Sequence, residues 1–176
     1  MSTKVVTGKC RLSYVHVFEK FAVNEDDDPR YSVMLLVPKS DTKTVEALRA
    51  AEAEAKDQGK SSKWGGKIPA NLKPSIIRDG DDYADEYPER AGHWFMTVSS
   101  QQKPGVVDAD VQPILDSTEI YSGCYARASL NAFPYKGKSN GVSFGLNHLQ
   151  KIADGEPLGG RTRAEDDFDA ISADLI

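Results

Sequence analysis

Aromatic rings and cations stand together twice in this chain. Trp64 lies between Lys63 and Lys67, and Phe133 and Tyr135 immediately precede Lys136 and Lys138 on a stretch that also carries Tyr125 and Arg127. Ring faces stack on unpaired nucleobases for roughly 1–3 kcal/mol each, while ammonium and guanidinium groups follow the phosphates. The pairing therefore suits a single strand held with little sequence preference. The same residue types also fit a blander reading, since strand aromatics commonly belong to a core and Lys-rich loops are commonly just solvated.

Other chemistries find less support. Gly155-Glu-Pro-Leu-Gly-Gly160-Arg161-Thr162 approaches a phosphate-binding loop, but Arg replaces the Lys, and the 14 residues that follow are strongly acidic and would repel phosphate. His16, His93 and His148 lie far apart, and Cys10 and Cys124 show no ligand spacing, so neither a metal nor a disulfide is expected. Asp79-Gly-Asp-Asp82 has the wrong order for a calcium loop. No nucleophile motif is present. The reading is of a non-enzyme with no cofactor and no catalytic residues.

Charge is distributed unevenly over the 176 residues, which carry 22 bases and 27 acids for a formal net charge of -5. Five of the acids (Glu165, Asp166, Asp167, Asp169, Asp174) fall in the last 13 residues, where Phe168 is the only aromatic and no base occurs. The preceding 163 residues are neutral, and they hold two basic blocks, at 56–78 and 127–151. Acidic clusters at 25–28 and 79–89 read as solvated loops. A flexible polyanion tethered to a basic groove competes for it at high local concentration, so an overall negative sign is compatible with binding a nucleic acid. A solubilising, disordered terminus is the equally economical reading of the tail. No apolar run reaches the roughly 20 residues of a membrane span, and the first residues lack the apolar core of a secretory signal. A cytosolic protein without membrane contact, with both thiols reduced, is expected.

The elements that must position these groups follow from periodicity. Residues 9–18 alternate as a half-buried strand, with Cys10, Leu12, Tyr14, His16 and Phe18 on one face. Residues 31–37 form an apolar run ended by Pro38, which pairs with the first as a hairpin. Ser40 or Asp41 caps a helix over about 41–58, with Val45, Leu48, Ala51 and Ala55 on one stripe and Gly59 as its stop. A long Gly-, Pro- and charge-rich loop region spans 60–91. Strands resume at 93–99, 119–133 and 142–149, the last pair joined at an Asn140-Gly141 turn. In the second of these, Ile120, Cys124, Ala126, Ala128 and Leu130 face one way and Tyr121, Tyr125, Arg127, Asn131 and Phe133 the other. In the third, Val142, Phe144, Leu146 and His148 alternate with smaller or polar residues. About five strands and one helix, without βαβ alternation, predict a mainly antiparallel sheet or small barrel.

Several segments, in order, carry a family likeness. These are Tyr31-Ser-Val-Met-Leu-Leu-Val-Pro-Lys-Ser-Asp-Thr-Lys43, Trp64-Gly-Gly-Lys-Ile-Pro69, Arg78-Asp-Gly-Asp81, Tyr121-Ser-Gly-Cys-Tyr-Ala-Arg127, Gly155-Glu-Pro-Leu-Gly-Gly-Arg161 and Ala164-Glu-Asp-Asp-Phe168. Together they resemble a bacteriophage single-stranded DNA-binding family that long carried only an unknown-function label. The resemblance implies a mainly β fold, an elaborated five-stranded OB-fold barrel at 1–153. A Gly-rich exit and disordered acidic tail would occupy 154–176. It implies single-stranded DNA as partner, a role in phage DNA replication, recombination or repair in the host cytoplasm, and a tail that modulates binding or recruits phage or host replication proteins. Homo-oligomerisation is left open. This tail ends Ala173-Asp-Leu-Ile176, without the acidic run and Pro-Phe that close the bacterial counterparts. Two rival functions are a metal-dependent nuclease using Asp79, Asp81 and Asp82, and a small β-barrel virion protein.

Overall fold

The computed structural model describes residues 3–22, 24–158 and 171. In chain order the elements are β1 (Lys4–Val6), β2 (Cys10–Phe21), β3 (Arg30–Pro38), α1 (Thr42–Ser62), β4 (Arg78–Asp79), β5 (His93–Ser100), β6 (Gly105–Val107), β7 (Tyr125–Lys136) and β8 (Asn140–Ala153). Strands β2, β3, β5, β8 and β7 pair in that order, and β7 returns to β2, so the sheet closes on itself. Every pair in the ring is antiparallel except β5 with β8, which meet in parallel at Ser99 and Gly145. This is the five-stranded barrel of the OB fold, with β1, β4 and β6 added to β7, β5 and β8.

Inward residues at every second strand position fill the barrel, among them Leu12, Val33, Leu35, Val98, Leu130 and Phe144. Helix α1 packs chiefly on β7. Its buried stripe is Thr44, Leu48, Ala51, Ala55 and Gly59, and Asp41 caps it by accepting the Thr44 N–H at 3.2 Å. Ser40 is not the cap. The helix also continues to Ser62, because Gly59 is not its stop. That glycine sits inside the last turns, where a Cβ would come within 2.5 Å of the Trp64 ring and 2.8 Å of Pro134. Its cost in helix propensity, about 1 kcal/mol relative to Ala, is offset by the close approach of the indole.

Two strands break the simple alternation, each at a bulge. In β2 the register shifts between Ser13 and His16, with Tyr14 at a φ of 47°. The extra residue reverses the faces beyond it, so Val17 enters the core while Tyr14, expected inside, is 50% exposed. In β8 a shift opposite Ser129 and Leu130 places Leu149 in the core and turns His148 outward. There its Nδ1 accepts the Gly105 N–H at 3.0 Å and holds β6.

Strand β7 begins at Tyr125 rather than 119, since Ser117–Glu119 form a 3₁₀ turn. The β7–β8 connection is Gly137, Lys138 and Ser139. Asn140 and Gly141 are already paired with Lys136 and Tyr135. Gly141 answers to close approach, because a Cβ there would lie 2.5 Å from the Tyr135 hydroxyl. Residues 154–158 dock on the body, where Arg11 donates to the Glu156 carbonyl at 2.7 Å and the Leu158 N–H to Ser122 at 2.9 Å. The expected disordered tail, with Glu165, Asp166, Asp167, Phe168, Asp169 and Asp174, lies outside the described residues.

Candidate nucleic-acid interface

The outer face of β3 and β5 is built from the residues that alternation turns away from the core. Register pairs Ser32 with Ser99, Met34 with Thr97 and Leu36 with Phe95. At the Leu36 end this face is covered by the segment 78–93. Lys39, just beyond β3, pins that segment by donating to Asp79 at 2.6 Å and Asp81 at 2.7 Å. Asp81 in turn accepts the Gly92 N–H at 2.8 Å. These hydrogen bonds, from Lys39 first, hold both carboxyls below the usual carboxylate range. Two of the three acids proposed for a nuclease centre, Asp79 and Asp81, are thus engaged in tying down a loop, while Asp82 lines the neighbouring groove. Among the described residues no cluster of metal-ligating side chains occurs.

Beside the covered end the face stays open as a groove of about 870 Å³. Its lining includes Met34 and Thr97 of the two strands, the cations Lys73 and Arg78, the acids Asp79 and Asp82, and Tyr135. The β7–β8 turn adjoins it, because the Lys73 N–H donates to the Asn140 carbonyl at 2.9 Å. Lys136 and Lys138 are exposed on that turn. Phe133 is 41% exposed on the outer face of β7, opposite Ser143. Its Cε1 lies 3.6 Å from where a Cβ on Gly145 would stand, and Gly145 in turn pairs with Ser99 of the β3–β5 face. The structure thus places Tyr135 in the groove lining, with Phe133, Lys136 and Lys138 on the same β7–β8 hairpin.

Trp64, offered as a stacking ring or equally as a core anchor, makes a packing contact. It is half-buried against the core, and its indole N–H donates to the Tyr135 carbonyl at 3.2 Å. Its ring thus anchors the end of α1 to β7, leaving Lys63 and Lys67 exposed on either side. Tyr125 and Arg127 are also separated from the others. They lie at the start of β7, and a strand rising about 3.3 Å per residue places Tyr125 roughly 30 Å from Tyr135. Lys9 and Arg11 lie 5.2 and 5.9 Å from the Tyr125 ring, and Arg127 donates to Gln150 at 2.5 Å. The sequence reading missed Arg90 and Tyr83 of the groove wall, because the acids around them read as a solvated loop. The signal was there in Tyr83, Tyr87 and Arg90 at close spacing.

The two cysteines are buried and free, and burial pushes the Cys10 thiol up to about 11. Among the described residues no helix is long and apolar enough to cross a membrane.

Known proteins share this architecture. The structure of the bacteriophage Enc34 single-stranded DNA-binding protein in complex with ssDNA superposes with a TM-score of 0.77 at 24% identity, covering 89% of this chain and 90% of that one. The single-stranded DNA-binding protein gp2.5 of bacteriophage T7 gives a TM-score of 0.63 at 14% identity, covering 98% and 100%. In sequence, the p50 protein of Acyrthosiphon pisum secondary endosymbiont phage 1 is 29% identical over 179 residues, 96% of this chain and 94% of its own length. The model of the Enterobacter phage Enc34 ssDNA-binding protein family matches residues 3–176, and the chain belongs to that family.

Proposed function

We propose that this protein binds phage single-stranded DNA along the groove over β3 and β5, without catalysis and largely without sequence preference. The observation that carries the reading is the joining of exposed Phe133 and groove-lining Tyr135 to a lysine-bearing turn at one edge of an open barrel face. Bases stack on the two rings, and Lys136 and Lys138, with Lys63 and Lys67 nearby in the chain fold, follow the phosphates. Coating of exposed strands during replication, recombination or repair, in the host cytoplasm, is the biological role that fits. The domain that does this is 1–153, with 154–176 as exit and tail.

Replacing Lys136 and Lys138 together with Ala is expected to weaken binding to any single-stranded sequence. It should also reduce the slope of log K against log salt by up to about 1.4, some 0.7 for each lost phosphate contact. A titration of a fluorescent oligonucleotide across salt concentrations reads both, and an unchanged slope removes the turn from the site.

The acidic tail is proposed to compete with DNA for the groove. Truncation after Arg163 should then tighten binding, most at low salt, where the attraction between tail and groove is least screened. Equal affinity of full-length and truncated chains would leave the tail as a solubility or partner-recruiting segment.

A further inference from the structure

We infer that Arg90 is a phosphate-contacting residue of the groove, held ready by a cage of aromatic rings; this rests on the single-stranded DNA reading above. Arg90 is only 7% exposed, which is unusual for a cation without a counter-charge. Its guanidinium carbon lies 3.8 Å from the Tyr87 ring centroid, 4.5 Å from that of Phe95 and 5.9 Å from that of Tyr83. No ion pair or side-chain hydrogen bond of Arg90 exists among the described residues. The rings attract the face of the guanidinium plane, but its five N–H donors project in that plane, where a ring face offers no acceptor.

Arg90 is nonetheless part of the groove wall, together with Lys73 and Arg78. Its position is built rather than incidental. It closes the 3₁₀ turn Pro88–Arg90, its N–H donates to the Tyr87 carbonyl at 2.9 Å, and Lys39 ties the whole segment to the barrel through Asp79 and Asp81. Asp79 on the same wall shares the Lys39 ammonium with Asp81, and among the described residues no ion pair joins Asp79 or Asp82 to Arg90. An oriented, partly desolvated cation with unfilled donors at the side of a groove matches a phosphodiester. It binds such a group with little further loss of side-chain freedom.

The test compares wild type, Arg90→Met and Arg90→Lys in binding an oligothymidylate of about 16 nucleotides across salt concentrations, with thermal melting of each free protein. Arg90→Met keeps the apolar contacts and is expected to bind at least about 10-fold more weakly. Its salt slope should be smaller by about 0.7, and its melting temperature within about 3 °C of wild type. Arg90→Lys should keep the wild-type slope with intermediate affinity, since it keeps the charge but loses the planar fork. Wild-type affinity and slope in Arg90→Met would overturn the inference. So would a fall in melting temperature beyond about 8 °C with the slope unchanged, which would mark Arg90 as a packing group only. Should Arg90→Met not fold, the Arg90 Nε–H resonance of the wild-type protein decides, since it must shift as the oligonucleotide saturates the groove. Absence of binding by wild type would instead sink the single-stranded DNA reading itself.

Discussion

Phe144→Ala is expected to remove about 3–5 kcal/mol of stability, a large part of the roughly 5–15 kcal/mol that holds a typical domain folded. The side chain is 1% exposed and points inward from β8 opposite Ala132 of β7. Ala132 is too small to fill the space that would be vacated. The five strands are hydrogen-bonded in a closed ring, so they cannot move inward independently, and most of the cavity should persist. Urea denaturation checks this through the transition midpoint, with the slope of the transition unchanged. A loss under about 1.5 kcal/mol would mean that the barrel collapses around the gap after all. DNA affinity at temperatures where the variant is folded should match wild type, because Phe144 does not reach the outer surface.

Phe133→Ala should do the reverse, although the two residues lie on the same hairpin. Phe133 pairs with Ser143 one position along from the Ala132–Phe144 pair, and so projects from the opposite face. A partly exposed ring contributes little to the core, and its removal should change the melting temperature by only a few degrees, on the order of 1 kcal/mol. A base that stacks on it contributes about 1–3 kcal/mol, so affinity for an oligothymidylate should fall about 5- to 150-fold. Phe133→Trp should retain binding, since the indole offers a larger face. Fluorescence anisotropy on the same oligonucleotide measures all three proteins, and equal affinity of the alanine variant would move the bound strand off this edge of β7.

The opposed fates of these two phenylalanines show where the sequence was legible. In β7 and most of β8 the strict two-residue period told inside from outside correctly, because nothing interrupts the pairing between 131–136 and 140–145. It misplaced Tyr14 and His148, since a bulge inserts one residue and leaves no mark in composition. Helix α1 was legible through its cap and apolar stripe. Its end was not, because a glycine that admits an indole looks the same in sequence as one that stops a helix. For the site, local signals sufficed for the β7–β8 turn, where rings and lysines are neighbours in the chain. For Arg90 they were partial, since Tyr83 and Tyr87 are close by in the chain but Phe95 stands on a separate strand. They could not reveal the packing partner of Trp64, since Tyr135 is 71 residues away.

The parallel contact of Ser99 with Gly145 sets an order of events during synthesis. Strands β2, β3 and β5 are hydrogen-bonded neighbours and can assemble once the first hundred residues have left the ribosome, yet the free side of β5 then waits for β8, near the far end of the chain. Until the β7–β8 hairpin arrives, the nascent sheet presents unpaired amides and carbonyls and an uncovered apolar interior. Ring closure joins distant segments and is therefore the slow step. Chains translated close together on one messenger would be most vulnerable to mutual strand pairing in that interval, so yield in a producing cell should depend on elongation rate more steeply than the stability of the finished barrel suggests.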